Sequence, residues 1–282
     1  MTIQRSDFRM AHRLRVRWVE VDMQKIVFNG HYLMYFDNAM GDYWRALAFP
    51  YEAGMHLLSG DLFVKKASVE YHGSARYDDV LDVGLRCQRI GNSSITFQGA
   101  IFRGDSLLVT SELVYVYANP ATQSPTPVPP LLRSLIDDFE AGQSVVRLQT
   151  GPWAALGEAI LTLRDAAWDA ADAHTDTVHA LVSNRLGQAI ATGRLLHQSE
   201  GVGRIDRMAV VRPLRGSQLG RDVLHALLSL AQERGYTEVQ VHAPCSAQGF
   251  YDRNGFVARG EVVEDAGVRH IAMAKVLSKA LT

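Results

Sequence analysis

Two periods of hydrophobic spacing run along this chain, and a proline-rich stretch separates two different orders of them. Leu14, Val16 and Trp18 alternate with Arg13, Arg15 and Arg17, the two-residue period of a strand with one wet face. The stretch from His31 to Ala48 instead repeats Leu33, Phe36, Met40, Tyr43 and Leu47 at helical spacing. Its apolar stripe is broad, which predicts an enclosed helix rather than a peripheral one. Four β-rich runs follow, Leu62 to His72, Val80 to Arg89, Ser94 to Phe102 and Leu107 to Tyr117. Gly104-Asp105 between the last two signals a tight hairpin. One helix followed by an antiparallel meander is an α+β plan in which the sheet wraps the helix.

The pattern breaks at Asn119 to Pro130, NPATQSPTPVPP. Each proline lacks an N–H and restrains the residue before it, so this segment reads as an extended connection. Pro129-Pro130 then leads into LLRSLIDDFEAG, a short amphipathic helix with Leu132, Leu135, Ile136 and Phe139 on one face and Gly142 as its stop. That face needs the preceding domain to cover it, which places a boundary after the helix: domains of 1–142 and 143–282. Beyond it, strands are expected at Val145 to Gln149, Val178 to Val182, Ala189 to Leu196, Arg204 to Val211 and Glu238 to His242, and helices at Trp153 to Ala173 and Gly220 to Arg234. Strands alternating with helices imply a mixed sheet covered on both faces.

Composition narrows the function classes. The 282 residues are 47% hydrophobic and 21% charged, enough apolar material for two cores. A formal net charge of −1 gives no reason to expect a nucleic-acid partner. No apolar run approaches the ~18 residues that a membrane span needs. The two cysteines, Cys87 and Cys245, fall in different halves, so neither a disulfide framework nor a cysteine-rich metal site is expected, and a reducing cytoplasm is the expected compartment.

Chemistry concentrates in two places. In RVRWVEVDMQKIVFNGHYLMYFDNA, Asp22 ends a strand shortly before a helix that opens near Asn29 to Tyr32. A helix N-terminus offers unpaired N–H groups and the positive end of a dipole, suited to a developing oxyanion on a thioester carbonyl. Asp22 would supply a base, or a nucleophile, on the other side of that carbonyl; a strand-end aspartate that simply closes a turn is the competing reading. Glu20 reads as a solvent-facing or inter-strand carboxylate, and Lys65, Lys66 and Arg76 as a solvated charged edge. The stretch resembles the 4-hydroxybenzoyl-CoA thioesterase-like branch of the hotdog superfamily, in Asp22, Val27-Phe28-Asn29 and Tyr32, and again in Tyr71 and Arg76-Tyr77-Asp78-Asp79. The resemblance implies a hotdog fold over about residues 10 to 141, with Asp22 catalytic and the backbone N–H of Asn29 polarising the thioester carbonyl. Asn29 stands where many relatives carry histidine. Hotdog domains usually pair, so a homodimer or homotetramer is implied.

The second place is RIDRMAVVRPLRGSQLGRDVLHALLSLAQERGY, where a strand ending in Val210-Val211 runs through Arg215-Gly216-Ser217-Gln218-Leu219-Gly220 into a helix. Amides in such a turn can cradle a pyrophosphate, and glycines let it approach. The Walker and dinucleotide-binding spacings are both absent. The segment resembles the acetyl-CoA loop of the GNAT acetyltransferases: Arg215 and Gly220 match, and Gln218 stands where a glycine is usual. PCSAQGFYDRNGFVARGE, with Phe250-Tyr251 and Asn254-Gly255-Phe256, resembles the family's terminal helix and following strand. The implied GNAT fold is α/β with a mixed sheet. Met208 to Val211 would bind the pantetheine arm, and the amides of Gly216 to Arg221, Ser217, Gln218 and Leu219 among them, would hold the pyrophosphate. Tyr251 would protonate the leaving thiolate, unless it only fills space under the final strands. Asp206, Glu264, Asp265 and His270 are open candidates for the base.

Together these readings predict a bifunctional acyl-CoA protein. It would hydrolyse a thioester in its first domain and transfer an acetyl or acyl group to an unidentified amine in its second, with acetyl-CoA or another acyl-CoA as substrate and no metal. In the alternative, one domain is catalytic and the other is an acyl-CoA sensor or oligomerisation module, or the protein is a non-enzymatic scaffold.

Overall fold

Aromatic residues three and four positions apart give the first long helix one face too wide to leave in water, and a sheet curls over it. The computed structural model describes residues 3–163, 177–265 and 267–278, in two units, Met1–Val145 and Val146–Thr282. The first runs β1 (Met10–Arg15), α1 (Asn29–Ala46), α2 (Tyr51–Leu57), β2 (Asp61–Tyr71), β3 (Val80–Ile90), β4 (Ser94–Arg103), β5 (Ser106–Ala118) and α3 (Pro130–Glu140). Its five strands pair antiparallel in the order β1-β3-β4-β5-β2. This is the hotdog arrangement, with α1 as the enclosed helix.

Tyr32, Tyr35, Phe36, Ala39, Met40, Tyr43 and Trp44 form the buried face of α1. Leu33, expected there, is exposed instead. The tyrosines displace it because their rings fill the core while their hydroxyls find partners: Tyr32 accepts from the Ala75 amide at 3.0 Å, and Tyr35 donates to Glu20 at 2.9 Å. Where Phe36 meets the sheet, Gly99 makes room. A Cβ there would lie 2.3 Å from Ser111 Oγ and 2.5 Å from the Phe36 ring. Trp18 also departs from expectation. The β1 ladder ends at Arg15–Val80, Val16 is buried, and the chain turns into a 3₁₀ segment, Trp18–Glu20, that leaves Trp18 exposed.

The Gly104 hairpin joins β4 and β5 at Arg103–Ser106, with Gly104 at φ 57°. The proline segment lies along the first unit: the Thr126 amide donates to the Tyr117 carbonyl and the Val128 amide to that of Asn92. Leu132, Leu135, Ile136 and Phe139 of α3 are buried, as their spacing predicts. Glu140 staples the helix end, accepting from Tyr43 Oη at 2.7 Å and the Cys87 amide at 2.6 Å. Burial, reinforced by the Glu140 charge, pushes the Cys87 thiol up to about 12. Gly142, at φ 86°, follows the helix.

The second unit runs β6 (Val146–Gly151), α4 (Trp153–Leu161), β7 (Val178–Asn184), β8 (Ala189–Ser199), β9 (Val202–Val210), α5 (Leu219–Glu233), β10 (Glu238–Pro244), α6 (Gln248–Arg253), β11 (Val257–Asp265) and β12 (Val268–Val276). The expected helix from Trp153 to Ala173 is seen as far as Leu161; residues 164–173 of it lie outside the described residues. The strand order is β11-β12-β10-β9-β8-β7-β6, and β9–β10 is the parallel pair in this mixed sheet. Ala180 pairs with Gly193, where a Cβ would meet Val223 and Leu227 of α5. Leu181, the next residue on β7, packs with Leu156 and Ile160 of α4. Successive strand residues point to opposite faces, so the two helices cover opposite sides of the sheet.

The middle of this sheet opens. β9 and β10 pair from Glu238–Val202 to Val241–Ile205. Beyond that point β9 continues with β8 and β10 with β12. The β8–β9 register shifts between Thr192–Ala209 and Arg194–Asp206, and Arg207 sits in the bulge at φ 55°.

Gly99→Ala is expected to cost about 1–3 kcal/mol through overpacking. It should lower the midpoint of the first unit's urea transition; an unchanged midpoint would mean that Phe36 and Ser111 yield freely.

Candidate functional sites

In the first unit the site begins where β1 ends. Glu20, expected as a solvent-facing or inter-strand carboxylate, is buried. One carboxylate oxygen accepts from the Arg17 amide at 2.7 Å and Tyr35 Oη at 2.9 Å; the other accepts from Arg17 Nε and Nη2 at 2.8 and 2.6 Å. Burial pushes this carboxyl up, but the donors of Arg17 and Tyr35 outweigh it and hold it below the usual glutamate range. The Glu20 carbonyl also accepts from the Phe28 amide at 2.9 Å, so Glu20 holds the chain that leads into α1.

Asp22 lies above that anchor, in a turn closed by its amide donating to the Ile26 carbonyl and by the Val21–Val27 bridge. Its Oδ1 accepts from the Gln24 amide at 2.8 Å, and Lys25 turns the chain at φ 62°. Oδ2 has no partner among the described residues. Helix α1 then starts at Asn29 without a side-chain cap. The amides of Asn29 and Gly30 have no acceptor among the described residues. Tyr71 Oη donates to the Asn29 carbonyl at 3.1 Å. The segment from 22 to 30 therefore holds a carboxylate with one free oxygen and two open helix amides. Trp18, Val19, Met23, Phe28 and Tyr77, near them in the chain or on the Trp18 ring, are all exposed. Lys66 pairs with Glu112 at 2.8 Å, as a solvated charged edge would.

In the second unit β9 ends at Val210, one residue earlier than expected. The Val211 amide is taken by the Ile190 carbonyl at 3.0 Å. After a 3₁₀ turn, Arg212–Leu214, Arg215 Nε donates back to the Val210 carbonyl at 3.3 Å. Gly216 and Gln218 both take the left-handed region, at φ 87° and 70°. Gln218 caps α5 by its carbonyl, which accepts from the Arg221 and Asp222 amides at 2.8 and 3.1 Å. Its side-chain oxygen accepts from Arg221. The Ser217 amide goes to the Leu214 carbonyl. The amides of Gly216, Gln218, Leu219 and Gly220 remain without an acceptor among the described residues, an anion cradle at a helix N-terminus. Beside it, a Cβ on Gly220 would lie 3.5 Å from Val210 and 3.9 Å from the Phe250 ring.

Tyr251 on α6 is buried between Phe250 and Phe256. Burial, with the charge of Asp206 adding to it, pushes its phenol up to about 12. It therefore holds its proton through the neutral range. The opening between β9 and β10 is a cavity of about 370 Å³. Arg194, Arg204, Asp206 and Arg207 line it from β8 and β9, and His242, Asp265 and His270 from β10 to β12. Of the candidate bases it gathers Asp206, Asp265 and His270; Glu264 is not on its walls. Asp206 is engaged by Arg194 Nε and Nη2 at 2.8 and 2.9 Å. His270 Nδ1 lies 2.9 Å from the Val268 carbonyl. A carbonyl can only accept, so Nδ1 carries the proton and the neutral ring offers its lone pair at Nε2. His242 stacks on His270, with centroids 5.8 Å apart. Nothing local in the sequence points to His242, because the strand pairing that brings it there is long-range. Among the described residues no group of side chains could hold a metal ion, and no helix is long and apolar enough to cross a membrane.

Comparison with known proteins assigns both units. The thioesterase superfamily matches residues 24–110 and the acetyltransferase (GNAT) domain residues 162–277. The chain is a thioesterase-superfamily domain joined to a GNAT acetyltransferase domain. Asp22 stands two residues ahead of the thioesterase match. An Aquifex aeolicus protein named "Putative esterase" is 33% identical over 94 residues, 33% of this chain and 73% of its own length. The uncharacterized protein YyaT of Bacillus subtilis is 30% identical over 105 residues, 37% of this chain and 69% of its own. Among solved structures, a hypothetical protein from Aquifex aeolicus aligns with 25% identity and a TM-score of 0.42, covering 45% of this chain and 98% of its own.

Glu20 offers a test of how the thioesterase domain is held. Its folded-state carboxyl lies below the ordinary value of about 4.3. The stability it adds is thus fully present above that value and is lost as pH falls through the lower folded one. Glu20→Gln is expected to cost about 1–3 kcal/mol at pH 7 and to flatten the acid limb of the stability curve. Superimposable acid limbs for the two proteins would contradict this.

Proposed function

We propose that the protein is a bifunctional acyl-CoA enzyme, a thioesterase in its first domain and an N-acetyltransferase in its second. The observation that carries the reading is the same in both units: each holds open helix amides together with a group able to move a proton. In the thioesterase domain, Asp22 takes a proton from water as its oxygen attacks the thioester carbonyl. The Asn29 amide stabilises the oxyanion, and the C–S bond then breaks to release the acid and CoA, with the proton passing to sulfur. The exposed apolar residues around Asp22 support a homodimer in which a second copy closes this site.

In the acetyltransferase domain, Val210 and Val211 lie along the pantetheine arm, and Gly216, Ser217, Gln218, Leu219 and Gly220 form the loop for the pyrophosphate. Arg215 and Arg221 flank that loop as positive charges. The amine nitrogen attacks the acyl carbonyl and gives up its proton to His270; the C–S bond breaks as Tyr251 protonates sulfur. His270 takes the base role in preference to Asp206, whose carboxylate already serves Arg194.

One observation favours a second reading, in which the first domain only binds acyl-CoA or oligomerises. Asp22 already spends one oxygen on the Gln24 amide, as an ordinary turn residue does. Two variants separate the readings. Asp22→Asn should lower thioester hydrolysis about 100-fold and leave amine acetylation intact. Tyr251→Phe should lower amine acetylation about 100-fold and leave hydrolysis intact. Thiol release reports the first, mass-spectrometric detection of the acetylated amine the second. Hydrolysis undiminished in Asp22→Asn would remove the thioesterase assignment of that residue. The proposed dimer predicts twice the chain mass by light scattering, and a monomer at micromolar concentration would count against it.

A further inference from the structure

The cavity between β9 and β10 has walls of opposite character. On the β8 and β9 side stand three guanidiniums, Arg194, Arg204 and Arg207, with one carboxylate, Asp206. Arg194 holds both oxygens of that carboxylate in a two-point fork. Arg204 reaches it with Nη2 at 3.8 Å only, and its buried Nε has no acceptor among the described residues. A buried donor without an acceptor is costly unless a ligand or solvent meets it. On the facing side, from β10 to β12, stand His242, His270 and Asp265, two imidazoles and a carboxylate.

The backbone adds to this arrangement. Residues three apart on a regular strand point to opposite faces, so Arg204 and Arg207 would not share a cavity. They do share it, because the register shift opposite Thr192 and Arg194 puts Arg207 at φ 55°. A non-glycine residue in that region is uncommon, and here it is the bulge that holds it there.

We infer that the acceptor of the acetyltransferase domain is a small amine that also carries a carboxylate, of the amino-acid class. Its carboxylate meets Arg204 and Arg207, and its amine faces His270 and Asp265. The planar guanidinium fork matches a carboxylate. A cavity of about 370 Å³ is in the range of small-molecule sites. The polarity across the cavity orients such a molecule with its nitrogen toward the Nε2 lone pair of His270. The inference rests on the transferase reading of this domain and names the class of its substrate.

The test uses the full-length protein with acetyl-CoA and reads the N-acetylated product by mass spectrometry, since thiol release would mix in hydrolysis by the other domain. Free glycine, glutamate and lysine are compared with their carboxamides, with putrescine and with aminoethyl phosphate. We expect kcat/KM for a free amino acid to exceed that of its amide at least tenfold. Arg204→Gln should bring the ratio close to one, and Arg204→Lys should restore part of it. Acetyl-CoA affinity by calorimetry and the melting temperature establish that the variant is folded; should it not fold, the exposed Arg207→Gln supplies the same comparison. Equal or better transfer to amides, to putrescine or to the phosphate would overturn the inference and leave the transferase reading standing. So would a ratio unchanged in Arg204→Gln. Transfer to none of the amines by the wild type would sink both.

Discussion

The first amides of an α-helix have no acceptor within the helix, and each domain leaves that shortage unfilled at the start of one helix. In the thioesterase domain the open amides belong to Asn29 and Gly30 at the start of α1; in the acetyltransferase domain they belong to Gly216, Gln218, Leu219 and Gly220 ahead of α5. Neither helix is capped by a side chain. A serine or aspartate cap would take up one of these donors. Each open terminus needs other means of support. For α1 these are the Glu20 carbonyl under Phe28 and the Tyr71 hydroxyl on the Asn29 carbonyl; for α5 it is the carbonyl of Gln218.

The sheet of the second domain carries the complementary constraint. Two parallel strands that stop pairing must send their remaining N–H and C=O groups elsewhere. Here β9 keeps its pairing with β8 and β10 its pairing with β12, while past Val241–Ile205 the groups facing the opening have no ladder partner among the described residues. Side chains then decide what the cavity is for. Arg194 neutralises Asp206, and Asp206 in turn helps keep the Tyr251 phenol protonated. Asp206 thus contributes both to the charge of the cavity wall and, after burial, to the raised pKa of the Tyr251 phenol.

Much of the fold was legible because it rests on short-range patterns. The four buried residues of α3 stand out by spacing, and Gly104 and Gly142 mark a hairpin and a helix stop by needing positive φ. Misreadings arose where a partner decided the outcome. Leu33 reads as more hydrophobic than Tyr32 or Tyr35, yet the tyrosines are buried, since Ala75 and Glu20 satisfy their hydroxyls. Glu20 reads as a solvent-facing or inter-strand carboxylate until Arg17 and Tyr35 are folded around it, although the Arg17–Glu20 spacing was a hint. Of the candidate sites, the loop from Arg215 to Gly220 and the Asp22 turn were readable as contiguous segments. His242 and Arg204 were not, because strand register alone brings them to one cavity.

Gln218 has a consequence for how such proteins are recognised. The turn before α5 asks for a left-handed backbone at that position, and glycine is only the least strained way to provide it. Glutamine adopts the same conformation here, at φ 70°, with its side chain turned to Arg221, at a cost of roughly 1–2 kcal/mol. The shape of the loop is therefore not tied to one residue type. A pattern search that insists on glycine would pass this chain by, while a search for the backbone itself would stop at it.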